Sequence, residues 1–169
     1  MGKRLVRIYY GDGKGKTTAA LGLALKEASQ GNSSIVIQCL KNKNDAEFCF
    51  LQKLEPEIKL FRFEKSEGYF EELSEEEKKE EIINIKNGIN FARKVLATGS
   101  CDLLILDEVL GLIDKGIITI EELKAIIDMK PEETGLVITG RNMSDELIDY
   151  ADEIFKIEAI KNYVDNENL

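Results

Sequence analysis

Along the chain, short apolar and β-branched runs alternate with longer stretches whose apolar residues recur every third or fourth position. That alternation is the pattern of successive βαβ units, which pair their strands in parallel and cover the sheet with helices. LVRIYY (5–10) reads as the first strand, and a helix follows from about Lys16 to Ser29, stopping near Gly31. SIVIQCL (34–40) is the second strand, with a short helix after it near Asp45 to Leu54, and KLFRFE (59–64) is a third, weaker one. Ser74, with Glu77 three residues on, forms a capping box that opens the longest helix, which reaches about Ala97 and ends at Gly99.

DLLILDEV (102–109) is the most apolar strand, and such a run belongs in the sheet centre, covered on both faces. Thr119 and Glu122 form a second capping box, opening a helix that ends before Pro131. GLVITG (135–140) and EIFKIEAI (153–160) are the last strands, joined by a helix that Ser144 caps. No internal repeat is visible. The expected fold is one α/β domain over residues 1–160, three layers around a mainly parallel sheet of about six strands, with a polar tail over 161–169. In such sheets ligands bind at the carboxyl ends of the strands.

Composition narrows the function classes. The chain of 169 residues suffices for one full hydrophobic core, and its two prolines leave little room for linkers. The first residues turn polar too soon for a signal peptide, and no apolar run approaches membrane-spanning length, so the expectation is a cytoplasmic protein with no membrane contact. Cys39, Cys49 and Cys101 lack CxxC spacing and the chain has no histidine, which makes them buried, reduced thiols rather than metal ligands. A net charge of −9 argues against a nucleic-acid partner, whose phosphates demand Lys and Arg. Nine glutamates against three lysines lie between Glu64 and Glu81, read as a solvated face where carboxylates suit a helix N-terminus.

The turn between the first strand and helix carries the chemistry. In GDGKGKTT, Gly11, Gly13 and Gly15 allow positive φ, so that successive N–H groups of Gly11, Asp12, Gly13, Lys14 and Gly15 converge on an anion at the helix's positive end. Gly15, Lys16 and Thr17 supply the GK[ST] ending of a Walker A loop, although Tyr10 stands where its first glycine belongs. Lys16 neutralises phosphate oxygens and Thr17 suits a bridging Mg²⁺ or Mn²⁺. LLILDE ends a hydrophobic strand in Asp107 and Glu108: a carboxylate there matches the Walker B position opposite the threonine, and the second acid is a candidate catalytic group beside Lys16. Together the two motifs predict a P-loop NTPase-like nucleotide site.

GDGKGKTTAALGLA, IQCLK (37–41), LILDEVLGLIDKGIITIEEL (104–123) and VITGRNMSDELIDYADEIFKIE (137–158) together resemble the ATP:corrinoid adenosyltransferase family of P-loop proteins. The resemblance implies a homodimer that transfers the 5′-deoxyadenosyl group of ATP to the cobalt of a reduced corrinoid and releases triphosphate, with a flavoprotein as electron donor. It implies that Gly13, Lys14, Gly15, Lys16, Thr17 and Thr18 contact the triphosphate, with Thr17 and Asp107 or Glu108 near the metal. Arg141, in TGRN, reaches either the nucleotide or the corrinoid.

Three features depart from the family pattern, all toward the acceptor. Members commonly carry a Trp-containing aromatic segment before the long helix; this chain has GYFEELSEEE and no tryptophan, leaving Tyr69 and Phe70 for the corrinoid or for packing on the sheet. A basic, His-containing tail is replaced by KNYVDNENL, and Leu110 lies near the place of an asparagine that often follows the DE pair. Two other readings stay open on sequence alone: a nucleotide-binding regulatory or carrier module, and a P-loop ATPase or phosphotransferase in which Glu108 orients the nucleophile.

Overall fold

The computed structural model describes residues 2–40 and 50–161. Six strands, β1 (Val6–Tyr10), β2 (Ser34–Gln38), β3 (Ile58–Arg62), β4 (Leu103–Asp107), β5 (Gly135–Gly140) and β6 (Glu153–Lys156), form one sheet in the order β3-β2-β4-β5-β1-β6. Every neighbouring pair is parallel. The helices are α1 (Lys16–Ser29), α2 (Glu75–Thr98), α3 (Val109–Asp114) and α4 (Ile120–Asp128). None of the described helices is long and apolar enough to cross a membrane.

Strand periodicity assigns the layers. Because neighbouring side chains point to opposite faces, Val36, Leu103, Ile105 and Val137 pack with Ala20, Leu21 and Ala24 of α1. Their neighbours Ile35, Ile37, Leu104, Leu106, Leu136 and Ile138 pack on the other face with Ile85, Ile89 and Leu96 of α2 and Leu123 and Ile126 of α4. The strand predicted to be central, β4, has all five residues buried. Both predicted capping boxes are present, at Ser74/Glu77 and Thr119/Glu122.

Several boundaries differ from the pattern reading. The run 102–109 leaves the sheet at Asp107, because Glu108 turns at φ 61 and Val109 already opens α3, a helix the pattern did not predict. The second, third and last strands end at Gln38, Arg62 and Lys156, earlier than their apolar runs suggest. Ser144 does cap the next element, but that element is a 3₁₀ helix, Asp145–Tyr150. Of the short helix expected at 45–54, Phe50 and Leu51 are α-helical and the end at Gln52–Leu54 is a 3₁₀ turn; its start, with Cys49, and the tail from 162 onward lie outside the described residues. Cys39 and Cys101 are buried, and burial pushes the Cys39 thiol well above its ordinary range and that of Cys101 up to about 11, as expected of inert thiols. The acidic run is only partly a solvated face: Glu75 and Glu76 are exposed, whereas Glu81 is 3% exposed.

Close packing of α3 on β5 rests on Gly140, where an added Cβ would stand 2.3 Å from Leu110 Cβ. Replacing Gly140 with alanine is expected to cost about 2 kcal/mol by overpacking, a fall in Tm of about 4–8 °C for a chain of this size. Thermal unfolding at the wild-type temperature would refute the close approach.

Candidate functional site

Parity and register gather the polar residues at the carboxyl edge of the sheet. Arg62 pairs with Gln38, Gln38 with Asp107, and Ile138 with Leu106, so Thr139 follows as Asp107's neighbour on β5. All four share the parity of the side chains that face α1, and they form one row across four strands. Asp107 is 0% exposed, and its carboxylate accepts hydrogen bonds from Thr139 Oγ1 at 2.7 Å, Thr17 Oγ1 at 2.9 Å and Gln38 Nε2 at 3.2 Å. Arg62 donates from Nε and Nη2 to Gln38 Oε1 at 2.9 and 2.7 Å, which turns the amide's N–H toward the carboxylate. Thr139 Oγ1 also accepts the Glu108 amide at 2.8 Å, holding the glutamate's positive φ. Glu108 thereby points away from that row and into a neighbouring cleft.

The loop's start corrects the expectation. Tyr10 remains in β1, in register with Gly140 and Lys156, and the sharp turn comes at Gly11, with φ 121. Gly11 N and Gly13 N donate to the carbonyls of Arg141 and Ile157, both at 2.9 Å, so these two amides brace the loop instead of facing an anion. Gly13 does not adopt positive φ; its lack of a side chain matters because a Cβ there would lie 2.8 Å from the Ile157 carbonyl. Asp12 is exposed and pairs with Arg141 Nε at 3.5 Å.

From Gly15 onward the loop suits an anion. Gly15 caps α1 at φ 109 without a side-chain hydrogen bond, and the first turn carries no acid, unlike the capped, acidic starts of α2 and α4. The amides of Lys16, Thr17 and Thr18 therefore have neither an intrahelical acceptor nor a capping side chain. Lys16 Nζ folds over the loop and donates to the Gly11 and Gly13 carbonyls at 2.6 and 2.9 Å. Thr17 and Asp107, one hydroxyl and one carboxylate in contact, are a donor pair suited to Mg²⁺, which keeps waters and takes substrate phosphates as further ligands. No group of three Asp, Glu, Cys or His among the described residues could hold a metal without such help.

Next to Lys16 opens a cleft of about 370 Å³, lined by Glu108, Arg141, Leu40, Tyr69 and Phe70 among others. Tyr69 is 60% exposed, while Phe70 is half-buried against the core. Lys115 pairs with Glu71 and stands 5.7 Å from the Phe70 ring centre. The fold thus brings Lys16, Glu108, Arg141, Tyr69 and Phe70 to one cleft and Thr17 and Asp107 to the buried row beside it. Gln38, Thr139, Leu40 and Lys115 were not singled out in sequence; a polar residue closing an apolar strand was the available signal for the first two.

Comparison with known proteins identifies the family. The family model described as ATP:corrinoid adenosyltransferase BtuR/CobO/CobP matches residues 2–168. Corrinoid adenosyltransferase from Escherichia coli (strain K12) is 24% identical over 162 residues, 95% of this chain and 80% of that protein. CobA, the corrinoid adenosyltransferase of Salmonella typhimurium, is likewise 24% identical over 162 residues, with the same coverage of both chains. The crystal structure of a KaiC-like protein from Pyrococcus horikoshii OT3 shares the fold, with a TM-score of 0.64 at 16% identity over 95% of this chain and 75% of that one. A family match of this extent, on a chain whose anion-ready loop opens into an aromatic-edged cleft, places it plainly: the chain belongs to the ATP:corrinoid adenosyltransferase family and is an enzyme that adenosylates corrinoids with ATP.

Proposed function

We propose that the chain joins the 5′-deoxyadenosyl group of ATP to the cobalt of a reduced corrinoid and releases intact triphosphate. The observation that carries this reading is the shared cleft, one open space lined by the loop lysine, by Glu108 and Arg141, and by Tyr69 and Phe70. The electron pair of cobalt(I) forms the bond to C5′. The C5′–O bond breaks, its pair leaves on the triphosphate oxygen, and cobalt becomes formally trivalent. Lys16 exchanges its two carbonyl acceptors for phosphate oxygens, and the amides of Lys14 to Thr18 receive the rest of the chain of phosphates. These donors are preorganised against the charge that grows on the leaving group. Thr17 and Asp107 would hold Mg²⁺ or Mn²⁺, which supplies further neutralisation of the phosphates.

Glu108 and Arg141 orient the ribose end and the rim of the acceptor, and Tyr69 and Phe70 provide the apolar surface for a flat macrocycle. Family likeness extends the proposal to a homodimer working in the cytoplasm on a corrinoid reduced by a flavoprotein.

Incubation with ATP, Mg²⁺ and chemically reduced cobalamin is expected to yield adenosylated corrinoid and triphosphate in equal amounts; ADP as the nucleotide product would sink the reading. Lys16→Ala is expected to abolish measurable MgATP binding in calorimetry, and retained affinity would remove the loop from the nucleotide site. Phe70→Ala should raise the KM for corrinoid about tenfold through lost stacking and burial, with the Kd for MgATP unchanged. A variant whose corrinoid kinetics match the wild type would take Phe70 out of the acceptor surface.

A further inference from the structure

Between β3 and α2 the chain runs irregularly to the 3₁₀ turn Phe70–Glu72, so the residues that lead to the aromatic step of Tyr69 and Phe70 belong to no strand or helix. Tyr69, 60% exposed, contributes little packing of its own to hold the segment at one height. The root is held by a buried carboxylate. Glu81, 3% exposed, accepts the Lys65 amide on both oxygens, at 2.9 and 3.1 Å, and the Ser66 amide at 3.0 Å. Asn84 Nδ2 steadies the same group at 3.3 Å.

Its position on α2 makes this choice conspicuous. The buried residues of that helix run Glu81, Ile85, Gly88, Ile89, Ala92, Val95 and Leu96, so a charge occupies the first place of an otherwise apolar stripe. Burying a carboxylate is unfavourable unless its oxygens are satisfied, and here backbone amides of the aromatic segment satisfy them. Glu64 holds a neighbouring residue of the cleft lining: it accepts the Leu40 amide at 2.7 Å, and that leucine stands at φ 58. Burial pushes the Glu64 carboxyl above its usual range, against the lowering effect of that amide. Both glutamates line a chamber of about 20 Å³ behind Tyr69 and Phe70, room for about one water.

We propose that Glu81 is a positioning residue for the acceptor: by gripping the Lys65 and Ser66 amides it sets the height of the Tyr69–Phe70 step and so governs affinity for the corrinoid without acting on ATP. This rests on the reading that the step faces the corrinoid.

The test compares wild type with Glu81→Gln, which keeps the shape but replaces one acceptor oxygen by a donor, and with Glu81→Leu, which completes the apolar stripe. Initial rates with varied cob(I)alamin at saturating MgATP are expected to show the corrinoid KM raised about tenfold or more by misplacement of the step. The kcat and the calorimetric Kd for MgATP should stay at wild-type values, and amide hydrogen exchange at Lys65 and Ser66 should quicken in Glu81→Gln. An unchanged corrinoid KM in Glu81→Gln overturns the inference. So does a joint loss of corrinoid and ATP affinity, which would make Glu81 a support of the fold at large. Should the leucine variant not fold, the glutamine variant decides alone. A wild-type enzyme that adenosylates no corrinoid would overturn the underlying reading first, and the wild-type control reports that separately.

Discussion

A single enclosed carboxylate organises this molecule. Asp107 sits at the end of the central strand with no exposure to solvent, and its donors come from α1, β2 and β5. A buried charge of this kind is tolerable only while its hydrogen bonds are intact. The P-loop helix and the flanking strands are thus locked to the central strand at the very edge where the ligand enters. The placement of Thr17 thus rests on its hydroxyl–carboxylate contact with Asp107 and on the packing of α1 against the sheet.

The features legible in sequence were those written locally. GKGKTT, the DE pair after an apolar strand, and the Ser74/Glu77 and Thr119/Glu122 boxes each lie within a few residues, and each stands where it was expected. The features that were not legible depend on register or on distant contacts. Gln38 and Thr139 matter only because parallel pairing sets them beside Asp107, and no spacing along the chain encodes that. The helix Val109–Asp114 was hidden because the turn before it is made by a glutamate at positive φ, with no glycine to announce it. Gly13 was credited with conformational freedom, yet its role comes from a distant part of the chain that crosses it at Ile157. Glu81 was lost in a run of acids whose composition describes solvated residues; helical periodicity relative to Ile85 and Ile89 held the signal that composition masked.

The two walls of the cleft are therefore built on different principles. The nucleotide wall is made of strand ends and a helix start, whose positions are set by backbone hydrogen bonds and a close-packed core. The aromatic part of the cleft is an irregular segment held by side chains, Glu81 at Lys65 and Ser66 and the Glu71–Lys115 pair at its tip, while Glu64 holds the neighbouring Leu40. Exposed ion pairs such as Glu71–Lys115 contribute little, which leaves the buried Glu81 carboxylate and the packing of Phe70 on the core to place that segment. On the proposed reading, the segment GYFEELSEEE, which has no tryptophan, leaves Tyr69 and Phe70 as the rings that this anchoring places. Under the proposed function, affinity for the acceptor then depends on how the segment is anchored as well as on which ring it carries.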